Sequence, residues 1–449
     1  MTVPVSASPP LLVRNALVLT MNDAFDVLEG SVFVRDGRIA AVGAEPEDAR
    51  GAVVLDAGGR YLLPGFVQTH VHLCQTIFRG LADDLTLLDW LRTRVWPLEA
   101  AHNDASLRVA TRLASAELLR TGTTTVLTME TVHDTDAVFD ALRQTGLRAT
   151  VGKCMMDADA EVPARLKERT ADAVRESEAL RRRWHGAADG RLRAAFAPRF
   201  AVSCTRDLLE SVAALSRETG AIVHTHASES RAEVDLVRAR SGMDNIEYLA
   251  ATGLASERLC AAHCVWVDER AQQILQERRV HVLHCPGSNL KLGSGVAPIV
   301  ELRARGVSVS LGADGAACNN RLDMFDEMRL AATLQAMRRG PGALPAREVL
   351  RMATRGGAAA LGLEDEIGSI ETGKRADLII VDRDQPHLAP GNDPYSTLVY
   401  SARGTDVRTT VVDGALLVRD GALVREDPEA LAAEARAEAA ALVARAGVV

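Results

Sequence analysis

Pro64-Gly65-Phe66-Val67-Gln68-Thr69-His70-Val71-His72 is an apolar run that closes on His-x-His. Side chains two apart on a strand point to the same side. Two imidazoles at that spacing, at the end of a buried strand, can grip one metal ion together, and histidine is a common ligand for zinc and other first-row metals. Taken alone, the pair is equally compatible with two packed histidines on a strand.

The stretches beyond it repeat the theme. Further β-type runs end near Met129, Met155, Phe200, Glu229, Val265, Pro286 and Asp314. Amphipathic stretches such as Ala105–Thr121, Val162–Trp184, Asp207–Thr219 and Asp268–Arg278 separate them. Strands alternating with helices over this span predict an α/β fold, a (β/α)8 TIM-type barrel. A doubly wound sheet is the alternative, but no Gly-rich phosphate loop follows an early strand. Short β runs with turn signals fill Leu11–Leu63, including Asp36-Gly37 between apolar segments, and the same texture returns at Ala376–Val381 and Val407–Gly414. Asp-Gly between apolar runs is a hairpin signal. The expected organisation is therefore a small composite β-sandwich domain from both termini (1–62 and 367–425), a catalytic barrel over 63–366, and a C-terminal Ala/Glu-rich helix within 426–449.

Composition excludes several classes. A net charge of −8 gives no basic footprint for nucleic acid. Arg181-Arg182-Arg183 is the only tight basic run, and it sits in a helical pattern that predicts a solvated face. Seven cysteines without a Cys-x-x-Cys pair, mostly inside apolar runs, predict small buried hydrophobes in a reducing, cytoplasmic setting. No segment has the length or apolarity of a membrane span, and the N-terminal run is broken by Arg14 and Asn15.

In a barrel, functional groups stand at the C-terminal strand ends. Those ends carry His70 and His72, His226 and Glu229 (His224-Thr225-His226-Ala227-Ser228-Glu229), His263 and Asp314. Three imidazoles and a carboxylate suit a first-row divalent ion, with a position left for water. Each residue has a plainer reading. His224 could replace His226, although only His226 has the His-x-x-Glu continuation. His263 could be a satisfied core histidine, Asp314 a turn residue, and Glu229 the start of a helix through Ser230-Arg231-Ala232-Glu233. The joint occurrence at separate strand ends carries the metal reading. His284, closing another strand, could line the site.

These residues resemble the amidohydrolase superfamily, in its branch of nucleoside and nucleobase deaminases and triazine hydrolases, over nearly the whole chain. Besides the opening run, the resemblance rests on Trp96-Pro97-Leu98-Glu99, His226-Ala227-Ser228-Glu229, Ala262-His263-Cys264, Ser288-Asn289-Leu290-Lys291-Leu292-Gly293-Ser294-Gly295 and Gly312-Ala313-Asp314-Gly315-Ala316. Leu73–Thr76, Leu88–Leu91 and Ala197-Pro198-Arg199-Phe200 are similar to the 5′-deoxyadenosine deaminase subgroup, related to the S-adenosylhomocysteine/methylthioadenosine deaminases. The resemblance implies one divalent ion, zinc first with iron or manganese as alternatives, held by His70, His72, His226 and Asp314. It implies that Glu229 shuttles a proton to the ring, that His263 orients the attacking water, and that Glu99 holds ribose hydroxyls. Arg199 stands where the relatives have a histidine, which alters the donors near the substrate; Lys153 and Arg165 lie in the region of further ribose contacts. Binuclear members carry a bridging lysine on strand four, and Ala197-Pro198-Arg199 offers none. The implied reaction is deamination of adenine nucleosides (5′-deoxyadenosine, S-adenosylhomocysteine, 5′-methylthioadenosine, adenosine) to inosine analogues and ammonia. The rivals are a triazine chloro- or aminohydrolase, a guanine-type deaminase, and a scaffold that has lost its metal. A small-molecule nucleoside is the expected partner, with no nucleic acid or membrane, and a homo-oligomer is implied by the resemblance alone.

Overall fold

The computed structural model describes residues 9–448 apart from 48, 159 and 160. Among them, two nine-stranded sheets form. One is a parallel sheet that curls into a barrel: Phe66–His72, Thr123–Met129, Arg148–Met155, Leu192–Pro198, Val223–Ala227, Leu259–His263, His281–His284 and Ser308–Leu311, with Asp314–Gly315 closing the ring against the first strand. Asp314 pairs with Val71 and Gly315 with His72. Closure requires glycine at 312, because a Cβ there would lie 2.6 Å from the His70 carbonyl oxygen and 2.7 Å from its nitrogen. The strands are buried on both faces, as parallel strands under flanking helices must be.

The second sheet draws on both ends of the chain, from Leu11–Leu19 to Tyr61–Pro64 and from Leu378–Val381 to Ala422–Leu423. Asp36-Gly37 forms the expected hairpin, with φ of 51° and 75°, and Asp413-Gly414 repeats it at 51° and 74°. Positive φ at both central residues is what a type I′ turn demands, and Asp-Gly supplies it cheaply. The two turns touch: a Cβ on Gly37 would sit 2.9 Å from the Asp413 carbonyl oxygen. Arg148, at the start of the third barrel strand, joins the sheets. It donates to Asp377 through Nε (2.7 Å) and Nη2 (3.0 Å) and lies 2.8 Å from Asp413.

One expected helix differs in detail. The helix expected over Val162–Trp184 begins at Thr170, after a short 3-10 turn at Ala164–Leu166. Pro163 itself, at φ −51° and ψ 138°, is not helical. The stretch Ala346–Leu361 is interrupted by a π-turn at Met352–Gly356, where Gly357 packs so closely on Val67 that a Cβ would lie 2.6 Å away. The last helix runs Pro428–Ala446, capped by Asp427. All seven cysteines are buried and unpaired. Arg182 and Arg183 are exposed on their helix and pair with Glu178 and Asp136. No helix among the described residues is long and apolar enough to cross a membrane.

Candidate active site

The C-terminal ends of the barrel strands bring His70, His72, His226, His263, Glu229 and Asp314 into one buried cluster. The ring nitrogens are sorted by what lies behind them. His72 Nδ1 donates to the Met129 carbonyl and His226 Nδ1 to the Arg199 carbonyl, each at 2.7 Å. A carbonyl can only accept, so in the neutral rings both Nε2 atoms carry lone pairs. Those two atoms nevertheless face each other at 3.2 Å. His70 Nδ1 shares a 2.6 Å hydrogen bond with His224 Nε2, leaving His70 Nε2 without a hydrogen-bond partner. Asp314 Oδ1 lies 3.3 Å from Nε2 of both His70 and His72. Converging lone pairs and a carboxylate, all buried, are unfavourable unless a cation sits among them.

The electrostatics agree. Burial drives the His70 ring down to about 4 and His226 well below its ordinary value, which disfavours protons on them. Burial also opposes a proton on His72, but Asp314 outweighs it and lifts that ring above its ordinary value. Burial would raise Asp314, yet the surrounding imidazoles hold it well below the usual carboxylate range. The cluster is thus built to hold positive charge, and its ligand atoms lie within 4.8 Å of one another in the sets His70–His72–His226 and His70–His263–Asp314. The donor set of imidazole nitrogen and carboxylate oxygen fits a first-row divalent ion.

The remaining groups border the same space. Glu229 Oε2 lies 3.5 Å from His263 Nε2, and Asp314 Oδ2 lies 3.8 Å from it. Burial, reinforced by the charges of Asp314 and Glu233, pushes Glu229 well above the usual carboxylate range, which favours its acid form. The helix expected beyond it does form: Arg231–Ser241 starts one residue after the cap Ser230, and Glu233 accepts the Glu229 backbone N–H at 2.7 Å. The backbone stores strain here, with φ of 73° at His263 and 64° at Asp314, an unusual conformation for residues with side chains. His224 turns its Nε2 to His70 and stands behind the ligand cluster. His284 is buried with neither ring nitrogen hydrogen-bonded, and it lies outside the two ligand sets.

Glu99 and Arg199 form a buried bidentate pair, with Nη2 of Arg199 3.1 Å from Glu99 Oε1 and Nη1 against Oε2 at 2.5 Å. Gln75 Nε2 donates a third bond to Glu99 at 2.9 Å. The carboxylate expected to face ribose therefore faces arginine, and of the two only Arg199 lines the cavity. Lys153 is likewise occupied, donating to Glu168 at 2.6 Å. Above the polar floor, Leu87, Trp90, Leu91, Phe200 and Leu292 close a cavity of about 20 Å³. That holds one water, whereas ligand pockets are usually ≈ 300 Å³ or more. Admitting a substrate requires this apolar cover to shift.

Residues 61–417 match the amidohydrolase family. The 5′-deoxyadenosine deaminase of Methanothermobacter thermautotrophicus is 43% identical over 92% of this chain and 96% of its own. The 5-methylthioadenosine/S-adenosylhomocysteine deaminase of Desulforudis audaxviator is 40% identical over 96% of this chain and 99% of its own. Among solved structures, an adenosine deaminase from Xanthomonas campestris with bound zinc superposes with a TM-score of 0.90 at 35% identity, covering 97% of this chain and 98% of that one.

Proposed function

This chain belongs to the amidohydrolase family, and from that premise we propose that it hydrolytically deaminates adenine nucleosides to inosine analogues and ammonia. Relatives named as 5′-deoxyadenosine and methylthioadenosine/S-adenosylhomocysteine deaminases, alike over nearly their full length, support the substrate class. One observation carries the chemistry: the lone pairs of His72 and His226 converge at 3.2 Å beside the Asp314 carboxylate. His70, His72, His226 and Asp314 would hold one divalent ion, with zinc favoured by the metal in the Xanthomonas structure. Such an ion supplies a Lewis acid that makes a bound water nucleophilic near neutral pH.

The chain's own groups then manage protons. His263 Nε2 lies between Glu229 and Asp314 and accepts a hydrogen bond from the attacking water. Glu229, whose acid form burial favours, protonates N1 of the purine as oxygen adds to C6, which offsets charge building in the ring. Asp314 Oδ2 receives the proton of that water and passes it to the amine. As the C6–N bond breaks and ammonia leaves, the remaining hydroxyl proton of the adduct passes to Glu229, so that C6=O forms and the acid is restored. Arg199, held by Glu99, offers its guanidinium at the pocket wall, where ribose would lie.

A spectrophotometric screen of 6-aminopurine nucleosides with varied 5′ groups tests this, with guanine and a chlorotriazine as controls. Ammonia release from adenine nucleosides is expected. Chloride release from the triazine with no nucleoside turnover would replace the reading with that of a triazine hydrolase. A homo-oligomeric state in the cytoplasm completes the proposal, and analytical ultracentrifugation checks the first part.

A further inference from the structure

Between the seventh barrel strand and the next helix lies a short turn of helix, Pro286–Lys291, followed by a loop through Gly295. Three side chains of this one segment each bond a different group of the site. Ser288 Oγ donates to Asp314 Oδ2 at 2.6 Å. Asn289 Oδ1 lies 2.8 Å from His263 Nδ1, and Ser294 Oγ lies 3.4 Å from Glu229 Oε1. The segment is itself rigidly placed. The Asn289 carbonyl accepts from the N–H groups of Ser294 (2.8 Å) and Gly295 (3.3 Å), and the Gly287 N–H donates to the buried Glu327 at 3.0 Å. Gly287 is needed for that approach, since a Cβ would lie 2.5 Å from Glu327 Oε1.

Building on the roles assigned to His263, Glu229 and Asp314 above, we propose that this segment is the positioning element of the site, and that Asn289 selects the tautomer of His263. With Asn289 Oδ1 turned to the ring, the His263 proton belongs on Nδ1. Nε2 is then a lone pair facing Glu229 and Asp314, and it has no other partner. In that tautomer His263 accepts from the attacking water. If the amide were reversed, its Nδ2 would donate to Nδ1 and place the ring proton on Nε2, where it could not accept. Ser288 acts alongside. By donating to one lone pair of Asp314 Oδ2, it keeps Oδ1 turned to the Nε2 atoms of His70 and His72 and leaves Oδ2 a second lone pair for the proton of the water. Neither Asn289 nor Ser288 lines the substrate cavity, so both act through the groups they hold.

The test uses full-length, zinc-loaded protein and two readouts. Long-range 1H–15N correlation on 15N-histidine-labelled enzyme, with His263 assigned by comparison to His263→Gln, reports which ring nitrogen bears the proton. The expected result is a protonated Nδ1 in the wild type and a loss of that preference in Asn289→Leu. Kinetically, Asn289→Leu should lower kcat about 10–100-fold, as loss of a partner behind a metal-site residue commonly does, with KM little changed and metal content unaltered. Asn289→Asp, which keeps the acceptor, should retain most of kcat. A wild-type proton on Nε2 would overturn the proposal, as would an Asn289→Leu enzyme with normal kcat or an Asn289→Asp enzyme no better than Asn289→Leu. If no adenine nucleoside is turned over at all, the functional reading fails, while the tautomer measurement still decides the role of Asn289.

Discussion

The two ends of the barrel bury charge in opposite ways. At the N-terminal end, Arg148 meets Asp377 and Asp413 in a fully bonded network, with the Asp413 N–H donating to Asp377 at 2.8 Å as well. Arg148 and both aspartates are thus paired, and the network joins the barrel to the small sheet. At the C-terminal end, the imidazole lone pairs face each other, Asp314 and His263 adopt strained φ, and burial pushes Glu229 well above the usual carboxylate range. The first arrangement closes on itself. The second is complete only with a cation and a substrate. Size would mislead here, because a cavity of about 630 Å³ bordered by Arg193, Arg258 and His281 opens at the N-terminal end, whereas the reactive end encloses about 20 Å³. Unsatisfied, converging donor atoms locate the chemistry better than volume does.

That contrast can be broken at several points. Removing metal with a strong chelator should abolish deamination, and zinc should restore it, while circular dichroism shows the fold retained; activity that persists in metal-free protein would contradict the account. Glu229→Gln should lower kcat by about 10²–10⁴-fold, the usual worth of a general acid, with little change in melting temperature. Arg148→Met reverses the pattern. It strands the buried Asp377 carboxylate and should cost about 3–5 kcal/mol in denaturant unfolding, while kcat of the folded enzyme stays near normal. Gly37→Ala is the mildest, placing a methyl against the Asp413 carbonyl at positive φ. A loss of about 1 kcal/mol or somewhat more is expected, measured by thermal unfolding.

How much of this could be read from the chain alone follows from the range of the interactions. His-x-His at the end of an apolar run and His-x-x-Glu after another are local patterns, so period-two geometry was enough to mark those two strand ends as candidate ligand positions; the full set with Asp314 needed the family resemblance. The Asp-Gly hairpins are local for the same reason, and the structure shows both. The Glu99–Arg199 pair spans a sequence separation of 100 residues, so nothing in either neighbourhood announces that the carboxylate is paired with arginine. The motif Ser288-Asn289 was visible without its purpose, because the residues it serves lie on other strands: Glu229, His263 and Asp314. The cover formed by Leu87, Trp90 and Leu91 is an ordinary amphipathic stretch until the fold sets it over the ligand cluster.

One divalent ion, held through His70, His72, His226 and Asp314, would make this site a deaminase. Titrating zinc into metal-free protein, while following bound metal and 5′-deoxyadenosine deamination together, tests it most directly. Activity should rise linearly and saturate at one ion per chain, and His72→Ala should lose both tight binding and turnover. Saturation at two ions, or turnover that does not follow bound metal, would contradict it.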